Sequence, residues 1–186
     1  CQRSCEAAAP GMDDPVILAS VLLKSGFKAI SLGAWCGVRG CLQDMGFQVE
    51  SYPFDNMRIS IEGVIHFLGT RFADFLKYER CSDGYHGHRT YHCKYHSFWH
   101  DNLDDPEDRA KYERRADRFL RLHEGAEQLL FVYACNSSAE VAKGEDLLRS
   151  LFLLFGVDKV WLLLLAGGQE VEKCWRVDGT AGRLLV

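Results

Sequence analysis

The sequence predicts an α/β layered domain with a mostly parallel central sheet flanked by helices. Apolar runs of strand length alternate along the chain with segments of helical period. Two runs, 128–134 (QLLFVYA) and 159–165 (KVWLLLL), are almost continuously apolar, as strands covered on both faces are. The composition is that of a globular protein, with 47% hydrophobic and 26% charged residues over 186 positions. A chain of that length buries about 70% of its unfolded surface, so it needs neither metal nor disulfide to fold.

The elements follow in order. Residues 1–15 (CQRSCEAAAPGMDDP) read as a flexible tail or linker, and 16–186 as a single α/β domain. Asp13 or Asp14 before Pro15 opens a short helix through Lys24, ended by Gly26. Residues 28–33 (KAISLG) form a buried strand that a glycine terminates, and a helix follows over about 36–45, closed at Gly46. Residues 47–52 (FQVESY) alternate as a second strand. Beyond the PFDN run, Ile61, Val64, Ile65 and Leu68 make one apolar stripe on a helix over about 59–69. Phe72, Phe75 and Leu76 extend it into a second short helix. Residues 79–90 are a polar loop, and 91–99 (YHCKYHSFW) alternate as an aromatic-rich strand. Asp105 caps the next helix, with Pro106 at its first position and Asp108 in its first turn. Its stripe is Tyr112, Ala116, Phe119, Leu120 and His123, and Gly125 stops it. A helix over 138–155, ended by Gly156, joins the two apolar strands, and 173–177 form a last edge strand.

Charge and cysteine content narrow the function. Lys and Arg total 22 against 26 Asp and Glu, a net charge of −4, so no basic excess neutralises a phosphate backbone and no nucleic-acid partner is expected. Residues 16–23 are too short for the roughly 20 apolar residues of a membrane span. Arg149, Asp158 and Lys159 interrupt the stretch 147–166, so no membrane partner is expected either. The eight cysteines at 1, 5, 36, 41, 81, 93, 135 and 174 contain no CxxC pair. They read as free thiols in a reducing, cytoplasmic compartment. The chain begins at Cys1 and not at Met, so a fragment is expected, with any targeting signal upstream. No cofactor is called for, and the oligomeric state is left open.

In open α/β sheets ligands lie outside the carboxyl ends of the strands. That rule collects Cys36, then His100 and Asp101, then Cys135, Asn136 and Ser137, then Gly167, Gly168 and Gln169. A thiol, an imidazole, a carboxylate and an amide are the set a cysteine hydrolase needs. Cys36 falls at a helix start, where unpaired N–H groups favour a thiolate. Beside it, Trp35 either walls a substrate pocket or packs.

The run 30–68 (ISLGAWCGVRGCLQDMGFQVESYPFDNMRISIEGVIHFL) resembles a domain family of unknown function catalogued as putative papain-like cysteine peptidases. The matching features are Ser31-Leu32-Gly33, Cys36 three residues on, and Ser51-Tyr52-Pro53-Phe54-Asp55. His100-Asp101, the helix segment from Tyr112 through Leu120 and the LLFVYA strand also fit, so the likeness spans roughly 28–166. Where the family pattern has an aromatic residue after Pro-Phe-Asp, this chain has Asn56. The resemblance implies Cys36 as nucleophile and His100 as base, acting on a peptide, ester or other acyl substrate. Asn136, Asp101 and Asp55 are the alternatives for the group that orients His100. Trp35, Asp55 and Gln169 are the residues expected to face substrate.

Two other readings stand beside the thiol hydrolase or acyl transferase. One is a non-catalytic sugar- or nucleotide-binding domain, using Gly168, Gln169 and the arginines at 109, 114, 115, 118 and 121. Acids at 107, 108, 113 and 117 make that helix read first as a salt-bridged solvent face. The other is a zinc-binding module on Cys81, His86 and His88. His92, His96 and His100 would share a strand face about 13 Å apart, too far for one zinc. His66 and His123 fall on apolar stripes as core-edge histidines.

Overall fold

Two four-stranded sheets organise the chain in the computed structural model, which describes residues 26–48, 50–84, 89–168, 170, 174 and 177–186. The expected tail over 1–15, the helix ending at Lys24, His86, His88 and Gln169 lie outside the described residues, as does most of the expected edge strand over 173–177.

The parallel sheet has the order β1-β6-β7-β8, from β1 (Phe27–Ser31), β6 (Gln128–Cys135), β7 (Val160–Ala166) and β8 (Leu184–Leu185). The two apolar runs are its central strands, as their composition predicts. On β6, Leu129, Phe131 and Tyr133 face the main core, while Leu130 and Val132 face a second cluster with Ala29. That second face is covered by α1 (Gly37–Asp44), through Val38 and Leu42.

The antiparallel sheet has the order β2-β5-β4-β3, from β2 (Met57–Ile59), β3 (Arg80–Asp83), β4 (Arg89–His92) and β5 (His96–Phe98). Its Met57, Ile59, Tyr91 and Phe98 enter the same main core as α2 (Ile61–Gly69), α3 (Pro106–Leu120) and α5 (Gly144–Phe155). Short α4 (Ser138–Val141) sits between β6 and α5. Asp105 caps α3 by accepting the Glu107 N–H at 2.9 Å, with Pro106 at the first position. Ser60 caps α2 by accepting from Gly63 at 3.2 Å.

Five expectations change. The described residues of 47–52 form no strand. Instead, the Gln48 side chain accepts the Ser31 N–H on the free edge of β1, at 3.1 Å. A side chain thus does what a ladder would have done. The expected helix over 72–76 is a run of turns, because Arg71, Phe72 and Asp74 have φ of 50, 64 and 57° and leave the right-handed region. Residues 91–99 are two strands folded on each other, with Tyr91 opposite Phe98 and Cys93 N–H bonded to His96 O at 2.9 Å. The polar loop over 79–90 contains β3 and the start of β4. The helix over 138–155 is broken at 142–143 into α4 and α5. No helix among the described residues is long and apolar enough to cross a membrane.

Candidate active site

Cys36 sits where β1 delivers the chain to α1. It is exposed, it is the residue just before the helix, and its side chain makes no capping hydrogen bond. The first N–H groups of α1 have no partner one turn back. The turn before it is built for one shape. Gly33 and Ala34 both have left-handed backbone, φ 85 and 75°, and Ala34 is buried. An alanine there costs about 1–2 kcal/mol, a strain that must be held from outside. A Cβ on Gly33 would lie 2.8 Å from the Phe54 carbonyl oxygen, so the PFD segment closes directly on the glycine. A Cβ on Gly37 would lie 1.9 Å from the Trp35 ring, so Trp35, half exposed at 51%, lies across the start of the helix.

Asp55 is fully buried. It accepts from the Tyr52 N–H at 2.7 Å and from Gln48 Nε2 at 2.9 and 3.0 Å. Arg39 Nε of α1 lies 2.9 Å away; its N–H is not aimed along that line, so the contact is an ion pair and not a hydrogen bond. Burial pushes the carboxyl up to about 6, against the hydrogen bonds and the Arg39 and Arg115 charges that pull it down.

His100 is exposed, two residues past Phe98, the partner of Met57. It therefore lies beyond the β2 end that leads back to Asp55. Among the described residues no hydrogen bond joins the Cys36 sulfur to the His100 ring. Asp101 is committed to α3: one oxygen accepts from Lys111 at 2.5 Å and the other from Tyr112 at 2.5 Å.

Asn136 lies at the carboxyl end of β6, the strand next to β1. Its N–H and Nδ2 donate to Glu140 Oε2 at 2.6 and 3.3 Å. Glu140, 8% exposed, also accepts from the Ile61 N–H at 3.2 Å and the Tyr133 hydroxyl at 2.7 Å. That carboxylate escapes the sequence reading; its signal was the Ser137-x-x-Glu140 spacing of a helix cap. Arg39 and Gln48 escaped it too, since their partners lie 7 to 17 residues away and no local pattern announces them.

The remaining candidates take structural places. His96 is buried, its Nε2 at 2.9 Å from the Phe75 carbonyl and its ring stacked on Phe75, and burial pushes it down to about 4. His92 pairs with the Ser82 hydroxyl at 2.8 Å. No group of three metal-ligating side chains lies within reach of one ion among the described residues. Burial pushes the Cys93 thiol up to about 12 and Cys135 up to about 11. On α3, Arg109 donates to the Leu76 and Leu103 carbonyls and Arg118 to the Ser51 carbonyl. Those two arginines tie segments together and do not form a simple solvent face. A cleft of about 260 Å³ opens between α3 and the turns at 72–77, with Cys36 and His100 absent from its walls.

A family model described as putative papain-like cysteine peptidase (DUF1796) matches residues 27–152. The chain belongs to this family. Its matched region runs from β1 through most of α5 and so includes Cys36, Asp55, His100 and Asn136. No curated protein and no solved structure matches the chain.

Proposed function

We propose that the protein is a cysteine-dependent acyl hydrolase or acyl transferase with Cys36 as its nucleophile and His100 as its base. The carrying observation is the Cys36 sulfur, exposed and uncapped at the first turn of α1, directly outside the carboxyl end of a parallel strand. Family membership supports peptide-like substrates.

In this reading the sulfur bonds to a carbonyl carbon while its proton passes to the His100 ring. The adduct collapses, the bond to the leaving amine or alcohol breaks, and the imidazolium returns the proton to it. Water, deprotonated by the same ring, then hydrolyses the thioester, or a second nucleophile takes the acyl group. The first N–H groups of α1 stabilise the oxyanion. Asn136, at the end of the neighbouring strand, is the candidate third polar group, since both Asp101 oxygens are bonded to α3.

A thiol-directed acyl probe, with the adduct located by peptide mass spectrometry, tests this. Labelling is expected at Cys36 and is lost in Cys36→Ala but kept in Cys41→Ala. Labelling that survives Cys36→Ala at an unchanged rate removes Cys36 as the reactive thiol.

A further inference from the structure

We propose that Asp55 is a positioning residue, a sealed carboxylate that holds the Cys36 turn in its reactive shape through Arg39 on one side and Gln48 on the other. The proposal rests on the reading of Cys36 as nucleophile.

A carboxylate at 0% exposure costs several kcal/mol unless its partners are in place. The partners of Asp55 are distributed in an informative way. One arm is Arg39, in the first turn of α1, three residues after Cys36. It meets Asp55 through Nε and also donates to the Ser51 hydroxyl at 2.8 Å. The other arm is Gln48, whose Nε2 holds Asp55 while its Oε1 receives the Ser31 N–H at 3.1 Å. Ser31 in turn accepts the Gly33 N–H at 3.1 Å through its hydroxyl. One carboxylate therefore grips both flanks of the turn, the exit of β1 and the entry of α1.

Between those flanks lie Gly33 and Ala34, the two consecutive left-handed residues. Left-handed alanine persists only where surrounding structure over-determines it. The Phe54 carbonyl against Gly33 supplies the third wall. Asp55 has no route to substrate, so its action on Cys36 is geometric. The charged groups acting on it are Arg39 from α1 and Arg115 from α3, and it acts in turn on the Tyr52 hydroxyl of its own loop.

The test measures iodoacetamide alkylation of Cys36, resolved by peptide mass, with the exposed Cys41 on the same helix as internal control. Asp55→Asn keeps the shape and removes the charge. It is expected to slow Cys36 roughly tenfold, as a small misplacement of a reacting group does, and to leave Cys41 within twofold. The wild-type Cys36:Cys41 rate ratio is expected to fall more steeply as pH drops through about 6 than the ratio in Asp55→Asn. If Asp55→Asn does not fold, Arg39→Gln is read the same way, with the same slowing expected. Wild-type Cys36 reacting no faster than Cys41 would remove the nucleophile reading and this proposal with it. A fast wild-type Cys36 that stays equally fast in folded Asp55→Asn or Arg39→Gln overturns the positioning role alone.

Discussion

In the parallel sheet, neighbouring residues of one strand go to different places: Phe131 to the main core, Leu130 and Val132 to the cluster under α1. In the antiparallel sheet, β2 runs buried, exposed, buried through Met57, Arg58 and Ile59. A strand buried on both faces has no position for a polar residue and reads as an unbroken apolar run. A strand buried on one face has half as many constraints, and when only three or four residues long it leaves little pattern to read. The two regions also treat charge differently. The antiparallel sheet buries an imidazole among aromatic rings. The parallel sheet keeps its buried carboxylates, Asp55 and Glu140, at its margin and carboxyl end, each surrounded by donors.

The difference can be broken at its strongest point. Phe131 is fully buried on the central strand β6 and stacks on Phe155 at 5.3 Å. Phe131→Ala is expected to cost about 3–5 kcal/mol, read from urea unfolding. A cost under about 1 kcal/mol would show that the face of β6 toward the main core is not tightly packed.

The buried imidazole sharpens the comparison through pH. An unfolded histidine takes its proton near 6.5, whereas burial pushes His96 down to about 4 in the folded chain. Its contribution is complete above about 6.5 and is lost as pH falls toward about 4, on the order of 3 kcal/mol in all. Asp55 acts with the opposite sign. Its folded carboxyl is raised to about 6, so it protonates first in the folded state and favours folding as pH falls from there toward its unfolded value. His96→Phe is therefore expected to flatten the acid-side decline of chemical stability, and Asp55→Asn to steepen it. Parallel stability curves for wild type and His96→Phe between pH 4 and 7 would refute the first assignment.

Smaller effects probe the joints. Ser60→Ala removes the α2 cap next to β2 and is expected to cost about 1 kcal/mol, seen as a lower thermal midpoint. Leu153, 84% exposed on α5, belongs to neither sheet's core. Leu153→Lys is expected to change stability by less than about 0.5 kcal/mol, and a larger loss would reveal a covered surface at that position.

Particular elements show what local pattern can announce. The runs 128–134 and 159–165 came out as β6 and β7 within a residue, and Asp105-Pro106 as the start of α3. Each states its structure within a few neighbouring residues, through burial or a capping hydroxyl or carboxylate. Residues 47–52 and 72–76 carry periodicity just as clean, yet their described residues form neither strand nor helix. The side chain of Gln48 was taken by Ser31 and Asp55, and Phe72 and Phe75 were drawn into the aromatic cluster at the cost of left-handed backbone. Cys36 at a helix start was legible because strand, glycine and helix are contiguous.

By itself the sequence determined the α/β class, the central apolar strands, the helix that begins at Pro106 and the place of Cys36 between β1 and α1. Tertiary structure alone decided that Asp101 serves α3, that Glu140 gathers Ile61, Tyr133 and Asn136, and that Asp55 joins both flanks of the Cys36 turn. Burial period and capping are properties of neighbours along a chain. The partner of a buried charge is fixed only when distant segments pack and exclude water, and the cost of leaving that charge unpaired then selects an arrangement in which it is paired.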